Sequence, residues 1–290
     1  MAQQTVNPLQ DGRFRPKKRF GQNFLQDRGI AARIVEAARI GPGDTVVELG
    51  PGHGVLTKLI VGTGARLVAL ELDRGLVDEL NAEFDGRLGA GGDARGRVEV
   101  ISVDFTKVSL GELLGQRGIE RCVLIGNIPY HLTRNVLFDF LVAETGRIAR
   151  SVVMMQREVG ERIASPPGSR VYGITSVVLQ SLYDIRVVTK VAPGSFHPRP
   201  RVASIVLSFH PLQTPFLGPD EVVPFVSLVK NLFQQRRKTI HNTLRAFYPM
   251  PEDALLRVAE AAGVDLQSRP EVLSREQFRA LSRALLAAGV

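Results

Sequence analysis

The stretch "VVELGPGHGVLT" (residues 46–57) joins an apolar run to three alternating glycines and then to a segment of helical period. It reads as a strand, a tight loop and the start of a helix. In a doubly wound α/β fold, ligands bind beyond the carboxyl ends of the strands, and glycines there let the backbone approach them. Gly50, Gly52 and Gly54 follow a G-x-G-x-G spacing, not the G-x-G-x-x-G that seats a pyrophosphate on a helix N-terminus. Glu48 flanks the loop, and no Lys or Arg adjoins it to meet phosphates. A phosphate-free nucleoside such as S-adenosylmethionine therefore suits the loop better than NAD. A plain strand-to-helix turn explains the glycines equally well, so the reading depends on two further acids. Glu71 closes the next apolar run about twenty residues on, where an acid takes a ribose hydroxyl pair. Asp104 closes the run after that, where it can accept from an amino group.

Outward from this loop, short apolar runs alternate with segments of helical period. Strands are predicted at 44–50, 65–73, 97–105, 121–127 and 150–156, and helices at 32–40, from 55, at 75–84 and at 133–144. Strands that are apolar almost throughout indicate a parallel sheet covered on both faces. Two later runs, 175–191 and 202–209, read as strands joined by "APGSFHPRPR", which would add an antiparallel edge. At "HPLQTPFLGPD" (210–220) three prolines and a glycine break the pattern, and everything beyond reads as helix, with "VVPFVSLVKNLFQQRRKTIHNTLRAF" as one long element. The expected fold is thus a Rossmann-like α/β domain over 27–210, preceded by a basic segment (1–26) and followed by a small all-helical domain (211–290).

The chain has 290 residues, is 44% hydrophobic and carries a formal net charge of +8 with a pI of about 10.0. That imbalance favours a polyanionic partner, nucleic acid or an anionic membrane surface. No apolar run reaches the roughly 18 residues of a spanning helix, and the N-terminus lacks the apolar stretch of a signal peptide; a cytoplasmic location is expected. The single cysteine, Cys122, lies in a strand and reads as a small core hydrophobe. The five histidines are scattered, so no metal site is expected.

"GNIPYHLT" (126–133) ends the fourth predicted strand on the same rim as Gly50, Glu71 and Asp104. An adenine amine is a poor nucleophile because its lone pair is delocalised into the ring. Two acceptors, the Asn127 side-chain oxygen and the Ile128 carbonyl, could hold both amine hydrogens and favour a tetrahedral nitrogen aimed at a methyl sulfonium. Pro129 sets the turn and removes a competing N–H. Tyr130 offers its face, rather than its hydroxyl, for the base to stack on.

At this point the chain resembles a known family. "RFGQNFLQD" (19–27), "VVELGPGHGVLT", "ALELD", "VDF", "GNIPY", "QREVGERI" (156–163), "FHPRPRVASIVLSF" (196–209) and "FQQRRKTI" (233–240) occur in the order seen in ribosomal-RNA adenine N6,N6-dimethyltransferases. The resemblance covers nearly the whole chain. It implies that Asn23 and Leu25 fold over the cofactor, with Gly50 and Gly52 lining it, Glu71 binding its ribose and Asp104 its adenine. Asn127 would lie between cofactor and substrate, and Phe196 would stack on the target base opposite Tyr130. The housekeeping branch dimethylates two adjacent adenines in a hairpin near the 3′ end of small-subunit (16S) RNA. A sister branch modifies one large-subunit (23S) adenine and confers macrolide resistance. "NIPYHLT" is closer to the resistance branch, whereas "FHPRPRV" and "FQQRRKTIHNTL" look like the housekeeping branch, and the longer match carries more weight. A non-catalytic ribosome assembly factor on the same fold is a third reading, disfavoured by the presence of Asn127 and Glu71.

Residues 162–219 contain one acid, Asp184, against six Lys or Arg, and residues 222–251 contain none against five. The N-terminal segment adds Lys17, Lys18 and Arg19. With Arg236, Arg237 and Lys238 these tracts read as a phosphate-binding surface, which positions RNA without reading its sequence. The expected partner is ribosomal RNA in an immature small subunit, met by a monomer without metal or membrane.

Overall fold

The computed structural model describes residues 22–84 and 98–290. Its strands in chain order are β1 (Phe24–Leu25), β2 (Thr45–Leu49), β3 (Arg66–Glu71), β4 (Val98–Ser102), β5 (Cys122–Asn127), β6 (Ile148–Gln156), β7 (Tyr183–Val191), β8 (Phe196–His197) and β9 (Ser204–Pro211). Seven of them form one sheet in the order β4-β3-β2-β5-β6-β9-β7, with β9 antiparallel to both its neighbours and the β4-to-β6 stretch parallel. The chain winds outward from β2 through β3 to β4, then returns to start again at β5 beside β2. That reversal opens a crevice at the carboxyl ends of β2 and β5, where open α/β sheets place their ligands.

Alternation of side chains splits each buried strand between two layers. Val46, Leu67, Ala69, Val123 and Ile125 join one apolar cluster with the helices Arg28–Ala38 and Val55–Gly62. Val47, Leu49, Val68, Leu70 and Leu124 join the other. This second cluster runs without a break into the C-terminal helices Val222–Gln234, Ile240–Phe247, Glu252–Ala262 and Arg275–Ala287, burying Phe225, Leu232, Leu244 and Phe278. Tyr172 meets Phe233 edge-on at 6.3 Å, and Phe233 stacks on Phe278 at 5.9 Å. Among the described residues, no helix is long and apolar enough to cross a membrane.

The Rossmann-like sheet, the antiparallel edge and the C-terminal helices match the sequence reading, but three elements differ. The run 175–191 is not one strand: Ile174–Gln180 is a helix, and the strand begins only at Tyr183. Three consecutive apolar residues, Val177 to Leu179, carry no periodicity that separates helix from strand; Ser176, whose hydroxyl accepts from the Gly173 N–H, closes the helix start. The long element from 222 is two helices, because the chain turns through Gln235 to Lys238 before Thr239 caps the second by accepting from Asn242 N–H. The helix after Tyr130 contains a π-helical segment, Val136–Val142, in which the Ala143 N–H donates to the Phe138 carbonyl five residues back. The pairing of β1 with β8 has no signal in the sequence, because each strand is two residues long.

Helix Arg157–Ile163 lies so close to β9 that a methyl group on Gly160 would come within 2.2 Å of the Ile205 side chain. Gly160→Ala should therefore lower stability by about 1–3 kcal/mol through overpacking. Gly115→Ala, at a helical position with nothing within 4 Å, should be neutral or stabilising. Urea denaturation of the two variants checks this, and equal midpoints would contradict the close contact.

Candidate active site

The crevice between β2 and β5 holds a cavity of about 390 Å³. Its wall includes every residue that the sequence reading placed at the cofactor and substrate: Asn23, Leu25, Gly50, Gly52, Glu71, Asp104, Asn127, Ile128, Pro129, Tyr130 and Phe196.

The floor is the loop after β2. Gly50, Gly52 and Gly54 all adopt left-handed backbone, with φ of 67°, 58° and 73°. At Gly52 a methyl group would also strike the Phe24 ring at 2.9 Å. The loop turns its Gly52 N–H onto Glu71 Oε2 (3.2 Å), while the N–H groups of Leu72 and Asp73 donate to Oε1 at 2.8 and 2.9 Å. Glu71 is buried, and burial raises its pKa, opposed by these backbone donors. Oε1 is filled by two donors, whereas Oε2 takes one and keeps capacity for another. Asp104 follows β4 and caps the turn Phe105–Lys107, with Oδ1 accepting from the Thr106 N–H (3.0 Å) and hydroxyl (2.6 Å). These bonds leave Oδ2 for a ligand.

Asn127 ends β5, and its Nδ2 donates to the Asn23 carbonyl at 3.2 Å. A carbonyl can only accept, so this bond assigns the amide orientation and turns Oδ1 away from Asn23. The Ile128 N–H donates to Met154 O, fastening the next peptide to β6. Tyr130 bonds through its hydroxyl to the Ser204 hydroxyl at 2.8 Å, and Ser204 is fully buried. The phenol hydroxyl is therefore engaged as well, a bond that the sequence reading, which assigned a role to the ring face, did not include. Phe196 is also buried. It forms part of the wall because β8 pairs it with Leu25 of β1, and the strap is further tied by the Gln26 N–H to Ser195 O at 2.8 Å.

Several residues carry more than the sequence reading gave them. His53 stands inside the glycine loop, with its Nδ1 3.0 Å from Glu79 Oε1 and its ring 4.5 Å from that of Phe24. Its place between Gly52 and Gly54 was a usable signal. Arg28 and Lys58 both border the cavity, which corrects the expectation of no neighbouring cations; Lys58 is paired with Glu83 at 2.9 Å. With Glu71, Glu79, Glu83 and Asp104 on the same wall, carboxylates outnumber cations. Such a wall suits a cationic ligand and repels a pyrophosphate.

Glu48 lies under the loop instead of facing the ligand. It is buried, accepts from Thr57 Oγ1 at 2.8 Å through Oε2, and its Oε1 has no partner among the described residues. Burial pushes its pKa up to about 8 from 4.5, against the Thr57 bond and with the help of nearby Glu71.

Of the expected RNA contacts, Arg237 and Lys238 are exposed in the break between two helices, while Arg236 donates to Arg170 O at 2.6 Å and approaches Glu271 at 3.9 Å. Lys17, Lys18 and Arg19 lie outside the described residues.

The sheet, its switch-point crevice and the glycine loop define a Rossmann-like methyltransferase fold. The family described as "Ribosomal RNA adenine dimethylase" matches residues 13–283, and the chain belongs to that family. Membership in a methyltransferase family implies use of S-adenosylmethionine. The chain is 41% identical to "Ribosomal RNA small subunit methyltransferase A" of Geobacter metallireducens, over 95% of this chain and 97% of the relative. It is 37% identical to the protein of the same name from Moorella thermoacetica, over 93% and 92%. Among solved structures, a dimethyladenosine transferase from Plasmodium falciparum superposes with a TM-score of 0.78 at 21% identity, covering 92% of this chain and 98% of that one. The 23S rRNA methyltransferase ErmE superposes at 0.67 with 25% identity, covering 91% and 99%.

Because Glu48 is buried and no cation pairs with it among the described residues, it should make stability depend on pH. Between pH 4.5 and about 8 the folded chain keeps a proton that the unfolded chain has released. Stability therefore falls as pH rises across that window, by up to about 1.4 kcal/mol per pH unit for one group. Glu48→Gln keeps the acceptor for Thr57 and removes this dependence. In urea denaturation the variant's advantage over the parent should widen from pH 5 to pH 8; a constant difference would show that Glu48 ionises normally.

Proposed function

We propose that this chain transfers methyl groups from S-adenosylmethionine to the N6 amines of two adjacent adenines, in a hairpin near the 3′ end of small-subunit ribosomal RNA. The observation that carries the reading is the Asn23–Asn127 bond. It presents Asn127 Oδ1 as an acceptor at the rim of a cavity whose wall also holds Glu71 and Asp104. The branch follows from the relatives, 37–41% identical to small-subunit enzymes and 25% to the large-subunit one.

Gly50, Gly52 and Leu25 would line the cofactor, Glu71 Oε2 would take a ribose hydroxyl, Asp104 Oδ2 the adenine amine, and Asn23 would close over it. S-adenosylmethionine, when bound, supplies an electrophilic methyl group on a sulfonium. The chain's own residues do the remainder. Asn127 Oδ1 and the Ile128 carbonyl accept the two hydrogens of the target amine, drawing its lone pair out of conjugation and aiming it. Pro129 keeps an N–H out of the way, and Phe196 and Tyr130 hold the ring between them. Ser204 fixes Tyr130 so that little orientational freedom remains to be lost, and alignment of this kind lowers the barrier. No side chain need act as base, because the amine can release its proton to water after transfer. The partner is an incompletely assembled small subunit in the cytoplasm, engaged by a single chain.

Single-turnover methyl transfer to small-subunit RNA in a partly assembled particle tests this. Asn127→Ala should abolish turnover while RNA binding, spread over many phosphates, hardly changes. Tyr130→Ala should lose about 1–3 kcal/mol of stacking. Tyr130→Phe and Ser204→Ala should each slow transfer about fivefold, for one net hydrogen bond of about 1 kcal/mol, and the double variant no further. Near-normal transfer by Asn127→Ala would remove the mechanism.

A further inference from the structure

The helical segment that follows Tyr130 carries Arg134 and Phe138 one turn apart on one face. The Arg134 guanidinium lies 5.7 Å from the centre of the Phe138 ring. Lys230, from helix Val222–Gln234, reaches the same ring from the C-terminal helices, with Nζ at 5.3 Å. The two cations thus lie within about one Debye length of each other at 0.1 M salt. Neither makes an ion pair or hydrogen bond among the described residues. The next residue in the chain, Asp139, accepts from Asn135 Nδ2 at 3.1 Å and pairs with neither cation. The ring face offsets part of the repulsion but supplies no full counter-charge. Arg134 is exposed, and Lys230 and Phe138 are half-buried.

Position makes this cluster informative. Arg134 is four residues beyond Tyr130, about 6 Å along a helix from the cavity rim. Lys230 is four residues before Gln234, about the same distance from the helix end, and Arg237 and Lys238 follow in the exposed turn. Cations therefore continue from the mouth of the cavity to the basic break between the C-terminal helices, and Lys230 bridges two parts of the chain that are almost a hundred residues apart.

We infer that Arg134 and Lys230, set on Phe138, bind backbone phosphates of the RNA strand immediately beside the adenine that enters the cavity, and so connect the reacting nucleotide to the basic turn. This rests on the RNA-methylating function proposed above. Both are phosphate contacts, not base readers, so they hold the strand in place without selecting its sequence.

The test uses the full-length chain and a small-subunit ribosomal RNA transcript, with Arg134→Gln, Lys230→Gln and the double variant measured across a salt series. Each lost contact should reduce the slope of log affinity against log salt by about 0.7–0.9, which is about a five- to eightfold loss at 0.1 M salt. The double variant should lose both increments. Lys230→Arg should keep the parental slope. Cofactor affinity by calorimetry should stay unchanged, since neither residue borders the cavity, and thermal unfolding should shift only slightly. A parental slope in Arg134→Gln and Lys230→Gln, with the parent binding this RNA in a salt-dependent way, overturns the clamp alone. A parent that neither binds nor methylates the RNA overturns the proposed function and the clamp with it.

Discussion

Everything chemical in this protein depends on β2 and β5 lying side by side and parallel, with Leu49 opposite Gly126. The chain reaches those strands by winding first one way and then the other, so their carboxyl ends are not bridged by a connecting helix. One additional residue on each side brings Gly50 and Asn127 together: a methyl group on Gly50 would stand 3.9 Å from the Asn127 carbonyl. The glycine loop and the "NIPY" turn, more than seventy residues apart in sequence, thereby become two walls of one cavity.

The loop's electrostatics are arranged in two storeys. Above, Glu71 is gripped by three backbone N–H groups, the first given by the loop itself, so the glycine backbone and the acid orient one another. Below, Glu48 sits in the core, where among the described residues Thr57 is its one side-chain hydrogen-bond partner, and is pushed toward its neutral form. A buried carboxyl without a cation is expensive to ionise, and its place directly under the ligand loop fits the tendency of proteins to break local rules near functional sites. The strap formed by β1 and β8 closes the assembly from outside. It fixes Asn127 through the Asn23 carbonyl and places Phe196 and Leu25 in the wall.

The C-terminal helices share the apolar layer of the sheet, through Phe225, Leu232 and the Tyr172–Phe233–Phe278 stack. A continuous core transmits position: the basic turn at Arg237 and Lys238 is held by the same packing that holds the cavity. Under the proposed function, phosphate contacts at that turn would set the register of the reacting nucleotide, because orientation is lost easily over small displacements.

The α/β class, the parallel sheet with its antiparallel edge, and the glycine loop at the crevice were legible in the sequence because each rests on local rules. Apolar runs at strand length, glycines at a tight turn and acids at strand ends are written in adjacent residues. The "NIPY" turn was legible for the same reason, since the amide, the proline and the phenol stand together. What the sequence did not show depends on contacts between distant residues. The two-residue strands β1 and β8 have no periodicity, yet they pair across more than 170 residues. The Ser204 hydroxyl beside Tyr130, Arg28 at the rim and Lys230 over Phe138 are all brought in by elements remote in the chain. The helix Ile174–Gln180 looked like a strand because a fully buried apolar run has the same composition in either form; only the surface it packs against decides between them. Sequence thus singled out the groups that meet at the cavity, and tertiary packing decided which way each one faces, because a side chain's orientation is set by partners that propensity and spacing do not encode.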